Sequence, residues 1–174
     1  MEIGAMVIAA VGVAGTLGAS LLTQRGAERA KRREIELVRA HDAVRDHLTL
    51  RRGCYTALNR DSRQFTTALN RHLHVMREGG AGDADREVLD AAKAAHRDTY
   101  SEAQMIAPDA VLGAATAVNH ALNLVYGQVK RLERGDPEEG ETMATVSRAQ
   151  QEVWGLLREM RAAMREDLGV SSSD

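Results

Sequence analysis

The chain has 174 residues, a net charge of −2 and a hydrophobic fraction of 44%, but only one Phe, one Trp, three Tyr and two Pro. So few aromatic residues and prolines argue against sandwiches and barrels, and favour an all-α fold of one domain with an appendage. The balanced charge gives no global basic field for nucleic acid. The single cysteine, Cys54, excludes an internal disulfide and a multi-cysteine metal site.

The first predicted element is a transmembrane anchor within residues 1–24. Residues 3–23 form a run of 21 residues without a charged side chain. At about 1.5 Å per residue they extend about 32 Å, which matches a hydrocarbon core of about 30 Å. Five basic residues follow the run: Arg25, Arg29, Lys31, Arg32 and Arg33. Because positive charge favours the cytoplasmic side, the sequence predicts a single-pass inner (plasma) membrane protein with its N-terminus outside and its C-terminal domain in the cytoplasm.

Two other interpretations of the apolar run are weaker. A cleaved signal peptide needs basic residues before its apolar segment, whereas here they follow it, and a buried or surface helix in an assembly is the remaining alternative. Within the run, Ala10, Ala14 and Gly18 recur every four residues. They predict a membrane packing face of small side chains, along which another membrane helix can approach closely.

A basic helical stalk is predicted for residues 25–49. Its cluster Arg25–Arg33 fits a topology signal facing anionic lipid better than a nucleic-acid site, because no aromatic residue precedes Tyr55 to stack on a base. Leu37, Val44 and Leu48 recur at coiled-coil spacing in this stretch. They predict stalk association and therefore a homo-oligomer.

The rest of the chain predicts an antiparallel four-helix bundle over residues 50–168, followed by a disordered tail over residues 169–174. Loops at 79–83 and 135–140 and a break at Pro108, either a tight turn or a kink, separate stretches with apolar residues three and four apart. Asp83 is predicted to cap the second helix, Pro108 to lie in the first turn of the third, and Gly135 to end it. The helical stretches are 25–78, 84–107, 108–134 and 140–168, and the first is long enough to supply both stalk and bundle helix.

This layout resembles a group of short uncharacterised membrane proteins of high-GC bacteria. The resemblance rests on the Gly/Ala-rich span, the Arg-rich helix from Thr23 to Glu34, the mid-chain Ala107–Val111 and the terminal Arg165–Gly169. An excess of Arg over Lys, 20 to 3, agrees with such a source. The resemblance implies a single-span topology and no particular activity.

A search for catalytic or metal-binding patterns yields no site. The pattern Glu-x-x-His of di-metal bundles is missing before each of the six histidines, and so are His-Glu-x-x-His, Gly-x-Ser-x-Gly and the phosphate-binding glycine loops. Cys54, beside Arg51 and Arg52, is either a reactive thiol or, as we favour, a small core residue. Trp154 is predicted to anchor the core.

We therefore expect a non-enzymatic, membrane-anchored helical protein without a cofactor or metal. Its cytoplasmic bundle is expected to bind an unknown cytosolic protein or itself, and not nucleic acid. The alternative is a small membrane-active protein whose Gly/Ala-rich span oligomerises into a pore, and a bundle enzyme with an unrecognised site is a third possibility.

Overall fold

The computed structural model describes the backbone of residues 3–170 and the side chains of residues 31–170. Over that range the chain is all-helical and has no strand, which confirms the predicted fold class at this level. The chain divides into two units, Met1–His47 and Leu48–Asp174. The helices are α1 (Ile3–Glu78), α2 (Asp83–Ile106), α3 (Asp109–Arg134) and α4 (Met143–Asp167).

The second unit is a helical bundle in which consecutive helices run antiparallel. Between α1 and α4, Arg51 pairs with Asp167 at 2.9 Å at one end, while Arg77 hydrogen-bonds Ser147 at the other. The same reversal joins α1 to α2 and α2 to α3. The pairs that show it are Ser62 with His96, Arg71 with Asp85, Tyr100 with Thr116, and Tyr126 with Asp90.

The core consists of the faces that the helical periodicity predicts. On α3 the buried side chains are Val111, Ala115, Val118, Leu122, Val125 and Val129. On α4 they are Val146, Gln150, Val153, Leu157, Met160 and Met164. On α1 the predicted line is buried from Tyr55 to His72 but exposed from Leu37 to Leu48. Trp154 is half-buried and packs against the rim of the core, so its predicted role as a core anchor is only partly met.

The predicted start of α4 lies three residues before the observed one, Met143, and the predicted start and end of α2, start of α3 and end of α4 differ from the observed ones by one residue. The N-terminal cap of α2 is Gly82, in an extended conformation, and its N–H donates to the Asp85 carboxylate at 3.3 Å. Asp83 is the first residue of the helix, and its exposed carboxylate pairs with Arg86 at 2.7 Å. Pro108 is the N-cap of α3 and not part of its first turn.

Of the two alternatives for the break between α2 and α3, the structure has the tight turn, because Ala107 and Pro108 are both extended. Gly135 ends α3 as predicted, with a left-handed φ of 73° that glycine adopts without a Cβ clash.

The predicted membrane span lies outside the residues whose side chains are described. Between residues 31 and 170, no helical segment combines the length and the apolar character that crossing a bilayer requires.

Candidate interaction surface

The predicted site residues of the first unit are placed only in part. Lys31, Arg32, Arg33, Leu37 and Val44 are exposed side chains on α1. The other members of the predicted sites in this unit, Ala10, Ala14, Gly18, Arg25 and Arg29, lie outside the part of the chain with described side chains.

The apolar side chains predicted for stalk association are open to solvent. In the first unit Leu37 is 72% exposed and Val44 is 61% exposed, and in the second unit Leu48 is 41% exposed. Ile35, Val38 and Leu50 are exposed as well, so six of the ten large hydrophobic side chains exposed in residues 31–170 lie between positions 35 and 50. Burial of one large apolar side chain contributes about 1.5–3 kcal/mol. Covering this segment with another surface would therefore be favourable.

A groove of about 860 Å³ lies between α1 and α2 in the second unit. Its α1 side carries three arginines, Arg60, Arg63 and Arg71, which follow one another along a single exposed face of the helix. Its α2 side is formed by small apolar side chains. The remaining lining residues are Asn59, Gln64, Thr67, Ala68, Val88, Ala91, Ala92 and Ala95, so none of the residues that line this groove in the described chain is acidic.

The arginines at the groove remain largely available to a ligand. The side chains of Arg60 and Arg71 are 61% and 67% exposed, although each has a carboxylate nearby. Arg60 binds the buried Asp61 at 2.7 Å, and Arg71 lies 3.6 Å from Asp85. A guanidinium has five N–H donors, so both arginines retain donors for a second carboxylate.

The charges of the two helices that form the groove are opposite in sign. Residues 48–78 of α1 contain six arginines and two acidic residues, whereas α2 contains six acidic and three basic residues. None of the sequence patterns above predicts this surface. The spacing of Arg60, Arg63 and Arg71 was a usable signal, but it does not reveal which helix lies beside α1.

A smaller groove of about 180 Å³ lies between α1 and α4. Arg63 faces both grooves, and its guanidinium carbon is 5.9 Å from the centre of the Trp154 ring. Arg158 and Arg161 complete the basic rim of this second groove. The exposed side of α1 is therefore flanked by arginines on both edges.

A buried serine and histidine lie close together inside the bundle. Ser62 Oγ is 3.1 Å from His96 Nδ1, and it donates its hydrogen to the Leu58 carbonyl at 2.7 Å. The hydroxyl therefore accepts from Nδ1–H, so this tautomer cannot take a proton from the serine. Burial lowers the pKa of His96 and outweighs the opposing influences of Asn119 and Asp61. Both side chains are at most 1% exposed, and the pair is a core contact without access for a substrate.

A second buried histidine, His72, lies beside an ionic cluster near the C-terminal end of α1. His72 Nε2 lies 3.5 Å from Glu133 Oε1, and Glu133 also binds Arg86 at 2.6 Å and Lys130 at 3.2 Å. Burial raises the pKa of the Glu133 carboxyl, but the hydrogen bonds from Arg86 and Lys130 outweigh it and lower the pKa. The ion pair between Arg86 and Glu133 joins α2 to α3, and His72 of α1 lies next to it.

Cys54 is a core residue, in agreement with the favoured interpretation. It is 3% exposed, and burial followed by the charge of Glu102 raises the pKa of its thiol, so the neighbouring arginines do not activate it. Among residues 31–170 no group of three or more His, Cys, Asp or Glu side chains is arranged to hold a metal ion.

Comparison with protein-family models, with curated proteins and with solved structures gives no match for this chain.

Proposed function

We propose that the chain is a non-enzymatic, membrane-anchored interaction module that self-associates through residues 35–50 and binds a cytosolic protein through its bundle. The observation that carries this proposal is the exposure of Leu37, Val44 and Leu48, which recur at coiled-coil spacing on α1. A second chain that covers them removes this apolar surface from water.

The finer architecture is part of the same proposal. Residues 3–23 form a transmembrane helix, residues 25–49 a stalk, and the antiparallel bundle lies in the cytoplasm. The uncharged run and the basic residues that follow it support this topology. In the membrane, the small residues Ala10, Ala14 and Gly18 allow close packing of two spans, which raises the local concentration of the stalks.

Cross-linking of the full-length protein in native membranes tests self-association. We expect a discrete oligomer from the wild type, less of it from the Val44→Asp/Leu48→Asp double variant, and still less when Gly18→Leu is added. Leu124→Asp is the matched control, because Leu124 is an exposed leucine on α3, outside the segment. Undiminished cross-linking of the double and triple variants would refute self-association through this segment.

The pore alternative predicts a different result with the same protein. If the Gly/Ala-rich span oligomerises into a pore, liposomes that contain the purified chain release an entrapped dye. Our proposal predicts that such liposomes retain the dye as well as protein-free liposomes do.

A further inference from the structure

The outward face of α2 combines apolar and acidic side chains. Val88 is 50% exposed and Met105 is 86% exposed, with the exposed Ala91 between them. Glu87, Ala91, Asp98 and Met105 are four and seven residues apart, so they share one helical face, and both carboxylates are exposed. This apolar and acidic face of α2 is therefore complementary to the basic groove beside it.

The positions of the charges along the groove are fixed by two contacts. Arg71 lies beside Asp85, and Ser62 lies beside His96. Arg71 is therefore level with the Glu87 end of α2, and Arg63 is level with the Asp98 end. If a second α2 helix lies along the groove, in either direction, its Glu87 and Asp98 each come near one of these two arginines.

We propose that this groove binds α2 of a second copy of the same chain in a two-fold symmetric contact. Charge complementarity supports this occupant, because the α1 side of the groove is lined by arginines while the outward face of α2 carries Glu87 and Asp98. The alanines of α2 permit close approach of the two helices, and the contact buries Val88 of both copies.

The groove is less suited to a lipid tail. It is open along its length, so an acyl chain would leave one side in water, whereas a helix covers the groove and keeps its own polar face in solvent. The contact uses residues 60–105 and does not depend on residues 35–50, so it is a second interface beyond the proposed function.

Disulfide cross-linking of the full-length protein tests the contact. Ala91→Cys places a thiol at the centre of the groove wall. In the proposed dimer the two-fold axis brings this thiol near the same thiol of the second copy. With mild oxidation by copper phenanthroline we expect at least tenfold more disulfide-linked dimer than from Ala117→Cys, an exposed alanine on α3, or from the wild type, whose Cys54 is buried.

Charge reversal provides an independent measurement. Arg63→Glu/Arg71→Glu in the Ala91→Cys chain is expected to reduce the cross-linked dimer at least fivefold, and adding Glu87→Arg/Asp98→Arg is expected to restore it. The helical circular-dichroism signal of each variant controls for folding. Failure of the second pair to restore cross-linking would overturn the charge pairing and with it the proposal.

The same experiment separates this contact from other associations. In a Val44→Asp/Leu48→Asp background the Ala91→Cys dimer is expected to persist, whatever happens to association through residues 35–50. Its loss there would overturn the proposal of an independent interface. A yield equal to that of Ala117→Cys, or a disulfide from Ala91→Cys to a different protein in place of a second copy, would also overturn it.

Discussion

Leu122 shows how a single position on a periodic helix is buried in the core. It is 0% exposed at the centre of the α3 apolar line, while Leu124, two residues away, is 51% exposed. The two leucines differ in burial because successive residues on a helix are rotated by about 100°, so only one of the pair can face the core.

We predict that Leu122→Ala lowers the free energy of unfolding by about 2–5 kcal/mol, because it removes buried methyl groups and leaves a cavity. Leu124→Ala is the matched control and should change it by less than about 0.5 kcal/mol. Urea denaturation of the full-length chain followed by circular dichroism measures both. A loss below about 0.5 kcal/mol for Leu122→Ala would contradict the helical phase of α3.

Contacts between polar residues of the core cannot be predicted from residue spacing alone. Ser62 and His96 are 34 positions apart, and their contact depends on the way α1 packs against α2. Helical periodicity accounts for the burial of Ser62, which is four residues after Leu58 and three before Phe65, but it carries no information on the residue opposite. The sequence contains no nucleophile motif, so a motif search gives no indication of the serine–histidine pair in the core.

At the scale of elements, a clamp between α3 and the connection that precedes α4 stabilises the turn from one helix to the next. Arg131 Nε donates to Glu141 Oε2 at 2.8 Å, and a second hydrogen bond joins the same two side chains. Glu141 also accepts from the Glu138 N–H at 3.0 Å. The hydrogen bond from Arg131 holds the pKa of the Glu141 carboxyl at about 2, against an ordinary value of 4.5.

We predict that this clamp stabilises the fold only where Glu141 is ionised. Because the folded-state pKa is depressed, the contribution is fully present above about pH 4.5 and is lost as the pH falls towards about 2. Glu141→Gln should therefore lower the free energy of unfolding at pH 7, and its difference from the wild type should shrink progressively below pH 4.5. Glu139→Gln, at an exposed position in the same connection, should show no such convergence.

The predicted elements were accurate where one local rule decides the outcome. The core lines of α3 and α4 follow from helical periodicity, and Gly135 follows from its tolerance of a left-handed φ. The N-cap of α2 was misplaced by one residue because Gly82 and Asp83 both suit a cap, and the observed cap Gly82 has its N–H bound by the Asp85 carboxylate. The groove was not predicted, because it depends on which helices are neighbours and not on the period of either helix.

At the scale of the whole molecule, the proposed membrane topology depends on the distribution of charge along the chain. The residues before position 24 include one charged side chain, Glu2, whereas five basic residues lie between positions 25 and 33. In the proposed topology the uncharged run of 21 residues is inserted into the bilayer and not adsorbed on it, and the basic residues after it resist transfer to the outer side.

We therefore predict that the full-length protein stays in the membrane fraction after washing with alkaline carbonate. A cysteine introduced as Glu2→Cys should react with a membrane-impermeant thiol reagent applied to intact cells, whereas Ser172→Cys should react only after the membrane is permeabilised. The native Cys54 is buried and gives little background, so the wild type is the control. Release by carbonate would contradict the transmembrane anchor, and labelling of Ser172→Cys in intact cells with protection of Glu2→Cys would show that the chain is inserted in the opposite direction.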